Sequence, residues 1–362
     1  MNYLKKAYNT CNKVLTCSLI AAMCTIGGMA AKNLYQYNPE INMGHGVSVS
    51  DVKQMNHLDD IIRSADSAKE LGSAEASAIQ LYMHSYAMVN IGLSDKKLSR
   101  RAANSIEHAI DLYSSDELKQ SLGINAIDVE DNIFYFSNLN MMIGGYELLT
   151  GDDSYSGLHD KLTSEINDKI LQKVNLNSFP GASWTADMTT ACASLSLYDK
   201  IHNTDHSKAI EKWTGYAKEN LLQDGNLITG NLIREAKGSN MAYSIIFTSM
   251  FDPDFSGELY NNFSKNFYKE FMGTDLAKEW QNGKNEMDID SGPVLFGYGS
   301  VASAFAIGAA KVNNDYEHFH GQSFMAELLT LPIGIFDEKQ YLLNNSLGET
   351  VLLFCRTLRP WD

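Results

Sequence analysis

The sequence predicts an all-α fold, an (α/α)6 barrel in which an inner ring of helices is wrapped by an outer ring. From Asp51 onward, apolar residues recur at three- and four-residue spacing, and the strict alternation typical of strands is nearly absent. Stretches that are apolar on all faces, such as VASAFAIGAA, alternate with striped ones, such as HSKAIEKWTGYAKENLL. A helix that is apolar all round is buried, whereas a striped helix covers it. This alternation therefore indicates two concentric rings.

Composition and length agree with one large globular domain. The chain has 362 residues, of which 44% are hydrophobic and 20% charged, and disorder would need fewer apolar residues. Twelve helices sharing about 310 residues would each have about 26 residues with a loop, which is an ordinary length. Because no Pro/Ser-rich linker interrupts the pattern, we predict one barrel domain over residues 51–362 and a tether over residues 32–50.

Residues 1–31 have the pattern of a secretory signal peptide or an N-terminal membrane anchor. Lys5, Lys6 and Lys13 supply positive charge, no acid occurs, and an apolar run covers residues 14–31. Small residues around Ala30 provide a cleavage point, and the run is short for a membrane span. We expect a periplasmic or secreted protein, or alternatively one tethered to the inner membrane through residues 14–31.

The charge and the cysteines exclude several classes of protein. The formal net charge is −15, and nucleic acid is not an expected partner because each phosphate contact needs a lysine or an arginine. The leader carries three lysines and no acid, so the rest of the chain has a net charge of −15 − 3 = −18. Cys192 and Cys355 are the two cysteines outside the leader. Both cysteines lie in apolar helical contexts and are expected to be buried free thiols.

We predict no metal site and no cofactor. His318 and His320 stand beside acids in NNDYEHFHG, but we interpret this segment as a polar, solvated loop. The sequence has no GxSxG, Walker, HExxH or paired CxxC motif, which removes the enzyme classes that depend on those motifs.

Three segments resemble the bacterial linalool dehydratase/isomerase family: DNIFYFSNLNMMIGGYELLTGDDSY (131–155), ASLSLYDKIHNTDHSKAIEKWTGYAKENLL (193–222) and DPDFS (252–256), with a fainter match in MNHLDD (55–60). The resemblance implies an (α/α)6 barrel whose active site lies in a central cavity at one end of the inner ring. It also implies acid/base chemistry by one aspartate, one histidine and two cysteines.

On this resemblance the aspartate falls on Asp59, and the histidine position is occupied by Asn138. The two cysteine positions fall near Ser178 and on Asp187. An asparagine cannot exchange protons, and neither a serine nor an aspartate supplies a thiol. The chain therefore departs from the family in the residues that carry its chemistry.

Two acidic positions are candidates in their own right. Asp187 opens an apolar inner helix just after Trp184, either as an acid stabilised by the helix dipole or as a carboxylate at the cavity mouth. Asp288 and Asp290 would point the same way on an extended backbone before Gly292. Capping and turn chemistry, or catalysis and binding of substrate hydroxyls, would each explain that pair, whereas the calcium pattern of an EF-hand is not met.

Aromatic residues near these acids are candidates for substrate binding. Trp184, Tyr135, Tyr243 and Tyr298 would provide stacking surfaces for a sugar or an apolar ligand, although core packing is the more common role of any single one of them.

Together these observations predict an extracytoplasmic acid/base enzyme acting on a C–O bond of a hydroxylated small molecule, of the lyase/isomerase class. The alternatives are a hydrolase that cleaves glycans with paired carboxylates and a non-catalytic barrel that binds a ligand or a partner. Whether the protein forms a homo-oligomer stays open.

Overall fold

The computed structural model describes residues 38–124, 126–287, 291–330, 332–335, 337–341 and 345–361. The predicted leader, and with it the choice between signal peptide and anchor, lies outside these residues. Within them, fourteen α-helices dominate, accompanied by short two-stranded antiparallel sheets.

In chain order the helices are α1 (Pro39–Met43), α2 (Val49–Ser64), α3 (Ala74–Ser94), α4 (Ser99–Tyr113), α5 (Asp116–Ser121), α6 (Ile133–Thr150), α7 (Ser156–Lys173), α8 (Thr185–His202), α9 (Ser207–Asn220), α10 (Gly238–Thr248), α11 (Pro253–Phe267), α12 (Ser300–Val312), α13 (Tyr316–Thr330) and α14 (Ser346–Thr357). The strands are β1 (Leu222–Gln223), β2 (Asn226–Leu227), β3 (Tyr268–Phe271), β4 (Thr274–Ala277), β5 (Val294–Leu295), β6 (Tyr298–Gly299), β7 (Pro332–Ile335) and β8 (Glu338–Tyr341), paired as consecutive hairpins.

Six inner helices close a ring. Each contacts the next, in the order α3, α6, α8, α10, α12 and α14, and α14 returns to α3. The helices between them, α2, α4, α7, α9, α11 and α13, each pack outside an inner neighbour. This arrangement is the predicted (α/α)6 barrel.

Burial explains which helices lie inside. Every residue of α6 from Ile133 to Glu147 is buried, and so is every residue of α10. The outer helix α4 instead buries one stripe, which includes Ala102, Ile106 and Ala109. The inner helices are therefore apolar on all faces because they have neighbours on all faces, as the sequence predicted.

The two ends of the barrel differ in their connections. The turns from an inner helix to the following outer helix have only three to five residues, whereas those from an outer helix to the next inner helix have nine to 32. All four hairpins and the short helix α5 belong to the long connections. The end at which the inner helices begin is therefore built up by loops, and we call it the mouth.

The opposite half of the barrel axis is filled by aromatic side chains. The ring of Tyr86 lies 5.8 Å from each of the rings of Phe247, Phe354 and Trp361. The indole of Trp361 donates to Asn90 Oδ1 at 2.7 Å. In the described part of the chain, the C-terminal segment thus plugs the far end of the barrel.

Several local predictions can now be compared with the structure. Cys192 and Cys355 are buried free thiols, as expected. The interpretation of NNDYEHFHG as a solvated loop is wrong, because α13 begins at Tyr316 and Phe319 is fully buried. The predicted tether is described from residue 38 and includes α1, whose Asn42 donates to Asp51 Oδ2 at 2.8 Å. None of the described helices is long and apolar enough to span a bilayer.

Candidate active site at the barrel mouth

Asp187 lies at the mouth, in the first turn of the inner helix α8, and its side chain is almost fully buried. At that position the helix dipole favours a carboxylate. Burial and the nearby Asp187 charge both raise the pKa of Tyr243, and burial is the larger cause. The pKa of Tyr82 is raised mainly by burial, and to a smaller extent by the neighbouring Tyr243 and Asp187. Both phenols consequently keep their protons beside the carboxylate.

Tyr243 is held in place by its neighbours. Its hydroxyl shares a hydrogen bond of 2.8 Å with Thr190 Oγ1, one turn after Asp187. Its ring packs edge-on against Phe305 of α12 at 5.3 Å. Tyr243 was predicted as a binding residue, and the structure places it in the layer of side chains directly beneath Asp187.

A row of four aromatic rings runs from the rim into the mouth. Trp184 lies 6.0 Å from Phe179, which lies 5.3 Å from Phe134, which in turn lies 6.1 Å from Tyr82. Trp184 and Phe179 are half-buried, and Phe134 and Tyr82 are buried. We call these four residues the aromatic wall. Partly exposed rings such as Trp184 and Phe179 beside a few polar groups are typical of small-molecule sites.

Two consecutive acids stand at the start of the neighbouring inner helix. Glu130 and Asp131 directly precede Asn132, the N-cap residue of α6, and both are half-buried. Asp131 Oδ1 accepts a hydrogen bond of 2.6 Å from Asn177 Nδ2, and the backbone NH of Asn177 donates to the Glu130 carbonyl at 2.8 Å. Asn177 lies two residues before Phe179, so these hydrogen bonds join the start of α6 to the loop that carries part of the aromatic wall.

Glu130 is ionised by its partners. Its Oε1 accepts a hydrogen bond from Lys173 Nζ at 2.7 Å, and its Oε2 accepts one from Lys169 Nζ at 3.2 Å. These hydrogen bonds lower the pKa of Glu130 below its ordinary value, and the one from Lys173 has the largest effect. A carboxylate kept ionised in this way has no proton to donate at neutral pH.

A buried ion pair stabilises the next part of the mouth, where α10 begins. Lys237 Nζ lies 3.7 Å from Glu279 Oε1, and both side chains are buried. Ser239 Oγ donates to the same oxygen at 2.7 Å. The pair connects the start of α10 to the loop that leads to α12.

The structure places Asp59 between outer helices. It is fully buried on α2, and its Oδ2 accepts from Arg101 Nε of α4 at 2.6 Å. Asp187 is on a different ring, at the start of an inner helix. The structure therefore gives Asp59 an ion-pair partner, and its acid/base role stays a prediction of the resemblance.

Asn138 and Ser178 both make internal hydrogen bonds. Asn138 is fully buried within α6, where its Oδ1 accepts from Tyr86 OH at 2.8 Å and its Nδ2 donates to the Phe134 carbonyl at 2.7 Å. Ser178 Oγ accepts from the backbone NH of Trp184 at 2.8 Å. This hydrogen bond from the Trp184 backbone to Ser178 helps to position Trp184 in the aromatic wall.

The remaining predicted residues are scattered. Tyr135 stacks on Tyr113 at 4.8 Å in the core, and Tyr298 donates to the Glu270 carbonyl at 2.7 Å from the hairpin β5–β6. Asp288 and Asp290 lie outside the described residues. The sequence interpretation overlooked Glu130 and Asp131, although two acids ahead of an apolar helix were the signal that drew attention to Asp288 and Asp290.

The mouth thus combines carboxylates from the starts of two contacting inner helices with phenols and an aromatic wall. A depression of about 280 Å³ adjoins it at the rim, lined by the polar residues Gln223, Asp224, Glu235, Gln281 and Asn282 and by Ala236. Such a set can bind hydroxyl groups, pack against an apolar sugar face and move a proton at a C–O bond.

Comparison with known proteins supports the fold. No protein-family profile matches the sequence, so the resemblance to linalool dehydratase/isomerase stays a prediction. Among solved structures, the chain is similar to an alpha-1,6-mannanase, GH76A of Salegentibacter sp. HEL1_6, with a TM-score of 0.53 and 11% sequence identity over 84% of this chain and 99% of the mannanase. That structure is of an inactive variant, with two consecutive aspartates replaced by alanine, in complex with alpha-1,6-mannotetrose. The mannanase is an (α/α)6-barrel enzyme, and the predicted fold class is confirmed.

Proposed function

We propose that this protein is a glycan-acting hydrolase that binds an α-linked manno-oligosaccharide at the barrel mouth. The observation that carries the proposal is the position of Glu130, Asp131 and Asp187 at the starts of two contacting inner helices, at the open end of the barrel where the aromatic wall lies. The similar mannanase fold, crystallised with a mannotetrose, supports the choice of substrate class. This function is the alternative, rather than the main prediction, of the sequence analysis.

Adjacent acids are the proposed acid/base pair. The mannanase variant that lacks two consecutive aspartates is inactive. Of the adjacent acidic pairs in the described chain, Glu130–Asp131 is the one that directly precedes an inner helix. We assign Glu130, ionised by its lysines, as the base, and Asp131 as the proton donor. Glycosidases commonly use two carboxyl groups in these roles.

The other groups at the mouth bind the sugar. Asp187 accepts hydrogen bonds from sugar hydroxyls, and Tyr82 and Tyr243 form the base of the site. Trp184, the most exposed ring of the aromatic wall, packs against a sugar face at the rim. The adjoining polar depression receives further sugar units of a longer chain.

The test is incubation of the purified protein with alpha-1,6-mannotetraose, followed by chromatography of the products. We expect the wild-type protein to release shorter oligosaccharides, and Asp131→Asn and Glu130→Gln to release at most about 1% as much, since acid/base groups typically contribute 10²–10⁴-fold. Asp153→Asn is the matched control, because Asp153 also belongs to an adjacent acidic pair but is exposed at the opposite end. Equal rates in all four proteins would reject the assignment.

The same experiment addresses the lyase/isomerase class that the resemblance implies. Terpenoid alcohols are included beside the oligosaccharide, and dehydration or isomerisation of such an alcohol without glycan cleavage would favour that class. Binding of mannotetraose without turnover would favour a non-catalytic barrel. A periplasmic or secreted location belongs to the proposal through residues 1–31 and is tested by fractionating cells that express the full chain.

A further inference from the structure

Three metal-ligating side chains meet at the end of the barrel opposite the mouth. Glu147 of α6 lies between His159 of α7 and His202 of α8. Its Oε2 is 2.7 Å from His159 Nδ1 and 3.1 Å from His202 Nε2. One potential ligand atom from each residue lies within 4.8 Å of the other two. Three different helices therefore contribute to a single cluster.

The surroundings of this cluster favour the binding of a cation. Glu147 is 5% exposed and His159 is fully buried. Glu147 Oε1 and His159 Nε2 are buried without a hydrogen-bond partner. A neutral imidazole hydrogen-bonds to a carboxylate but does not cancel its charge, and a buried carboxylate is costly without compensation. A divalent cation would supply that compensation.

We propose that Glu147, His159 and His202 bind one Zn²⁺ ion. Two imidazoles and a carboxylate are typical zinc ligands, whereas magnesium and calcium prefer oxygen alone. Bonds of about 2.0–2.2 Å in a tetrahedron put ligand atoms about 3.3 Å apart. The two separations from Glu147 Oε2, 2.7 and 3.1 Å, are slightly shorter than that value, and the three ligand atoms lie within 4.8 Å of one another, so small side-chain rotations would complete the site. His202 is 30% exposed, which leaves a side open for water as the fourth ligand.

Neighbouring side chains hold the two imidazoles in position. The Tyr198 ring lies 4.7 Å from the His159 ring and 4.3 Å from the His202 ring. The hydroxyl of Tyr198 donates to Asp160 Oδ1 at 2.6 Å, which fixes the ring between the two histidines. Such outer contacts orient metal ligands before the ion binds.

The position of the cluster indicates a structural role. His202 follows Asp187 by fifteen residues on α8, a distance of about 22 Å along the helix, so the ion would not reach the mouth. It would connect the C-terminal ends of two inner helices to the outer helix α7. Zinc binding should therefore stabilise the barrel.

The test is a titration of the purified chain with ZnCl₂ after removal of metal by EDTA and dialysis, in competition with a chromogenic chelator. We expect one tight site in the wild-type protein. His202→Ala should weaken it by more than about 100-fold, because the loss of even an outer partner of a ligand costs 10–100-fold. The matched control is His318→Ala. His318 also bonds two carboxylates, Asp315 and Asp275, but among the described residues it does not belong to a group of three ligand atoms within 4.8 Å of one another, so the zinc affinity of this variant should equal that of the wild type.

Thermal unfolding provides a second readout. ZnCl₂ should raise the Tm of the wild type and of His318→Ala but not of His202→Ala, because a ligand stabilises only the state that binds it. Zinc affinity should also fall at acidic pH, since the histidines bind metal in their neutral form. Circular dichroism without metal checks that His202→Ala is folded; should it unfold, Glu147→Gln replaces it. Absence of stoichiometric zinc binding in the wild type, or tight binding retained in a folded cluster variant, would overturn the proposal.

Discussion

At the scale of the residue, surroundings rather than residue type decide what each carboxylate does. Asp59 is fully buried and paired with Arg101. Asp187 stands at the start of an inner helix beside Tyr82 and Tyr243, whose phenols retain their protons. An aspartate thus forms an ion pair between two outer helices at one position and lies beside two phenols at the mouth at the other.

Asp187→Asn tests the binding role at the mouth. The amide has nearly the same shape but no charge, so the hydrogen bonds it accepts from sugar hydroxyls should weaken by about 1.5–3 kcal/mol, the usual contribution of a hydrogen bond to a charged group. We expect weaker binding of mannotetraose in calorimetry, with the thermal unfolding midpoint close to that of the wild type. Unchanged affinity would contradict the role assigned to Asp187.

The pair of Asp59 and Arg101 makes a prediction about stability. Arg101→Ala leaves a buried carboxylate without its cation and should lower the free energy of unfolding by about 2–3 kcal/mol. Asp59→Asn should cost less, because the guanidinium of Arg101 is 35% exposed and reaches solvent. Urea unfolding of both variants measures the difference, and a larger loss in Asp59→Asn would refute this explanation.

At the scale of the element, the mouth depends on close backbone contacts between its loops. Gly230 pairs with Trp184 in an isolated bridge, and a Cβ at Gly230 would lie 1.8 Å from the Ser183 carbonyl oxygen. That approach is possible only for glycine. The loop before α10 therefore supports the exposed end of the aromatic wall.

Gly230→Ala should separate these loops and displace Trp184. We expect a lower unfolding midpoint and weaker mannotetraose binding. The control is Gly215→Ala on the exposed face of α9, where nothing lies within 4 Å of the new Cβ. That substitution should stabilise the protein by about 0.5–1 kcal/mol through helix propensity. Equal effects of the two substitutions on stability and binding would show that the close contact is unimportant.

At the scale of the whole molecule, the ring is closed by a buried polar network between its first and last helices. Glu327 Oε1 of α13 accepts from Lys339 Nζ and from Tyr341 OH, each at 2.6 Å, and from Arg356 of α14. Arg356 also donates to Gln54 Oε1 of α2 at 3.0 Å. Four segments that are distant in sequence are thereby fixed together.

Glu349, in the first turn of α14 next to this network, makes the stability of the protein depend on pH. Burial raises its pKa to about 7, although the backbone NH of Tyr341 and the cations Lys339 and Arg356 oppose the shift. The folded protein therefore binds more protons than the unfolded chain between about pH 4.5 and 7. Across that window stability should fall as pH rises, by up to about 3 kcal/mol from this group. Urea midpoints of the wild type and of Glu349→Gln on both sides of the window check this, and the variant should lack this contribution; identical pH profiles would contradict it.

The sequence predicted the fold well and the site only in part. The lack of a polar stripe in α6 and α10 reflects burial on all faces, and it is visible in the local sequence, so the two rings were predictable. Asp187 was found because it opens an apolar helix. Asp59 was selected by resemblance, and only tertiary structure shows that Arg101 lies beside it.

Long-range assembly explains what the sequence did not predict. Glu147, His159 and His202 belong to three helices, and no spacing in the sequence marks them as neighbours. The contact of Asp131 with Asn177 likewise joins residues 46 positions apart. Such clusters follow from the closure of the ring and become visible only in three dimensions.

The most direct test of the account is the product pattern from alpha-1,6-mannotetraose with the wild-type protein and Asp131→Asn at equal concentration. The proposed function predicts that the wild type shortens the tetrasaccharide while the folded variant leaves it intact. An intact tetrasaccharide in the presence of folded wild-type protein, or equal cleavage by Asp131→Asn, would contradict the central claim.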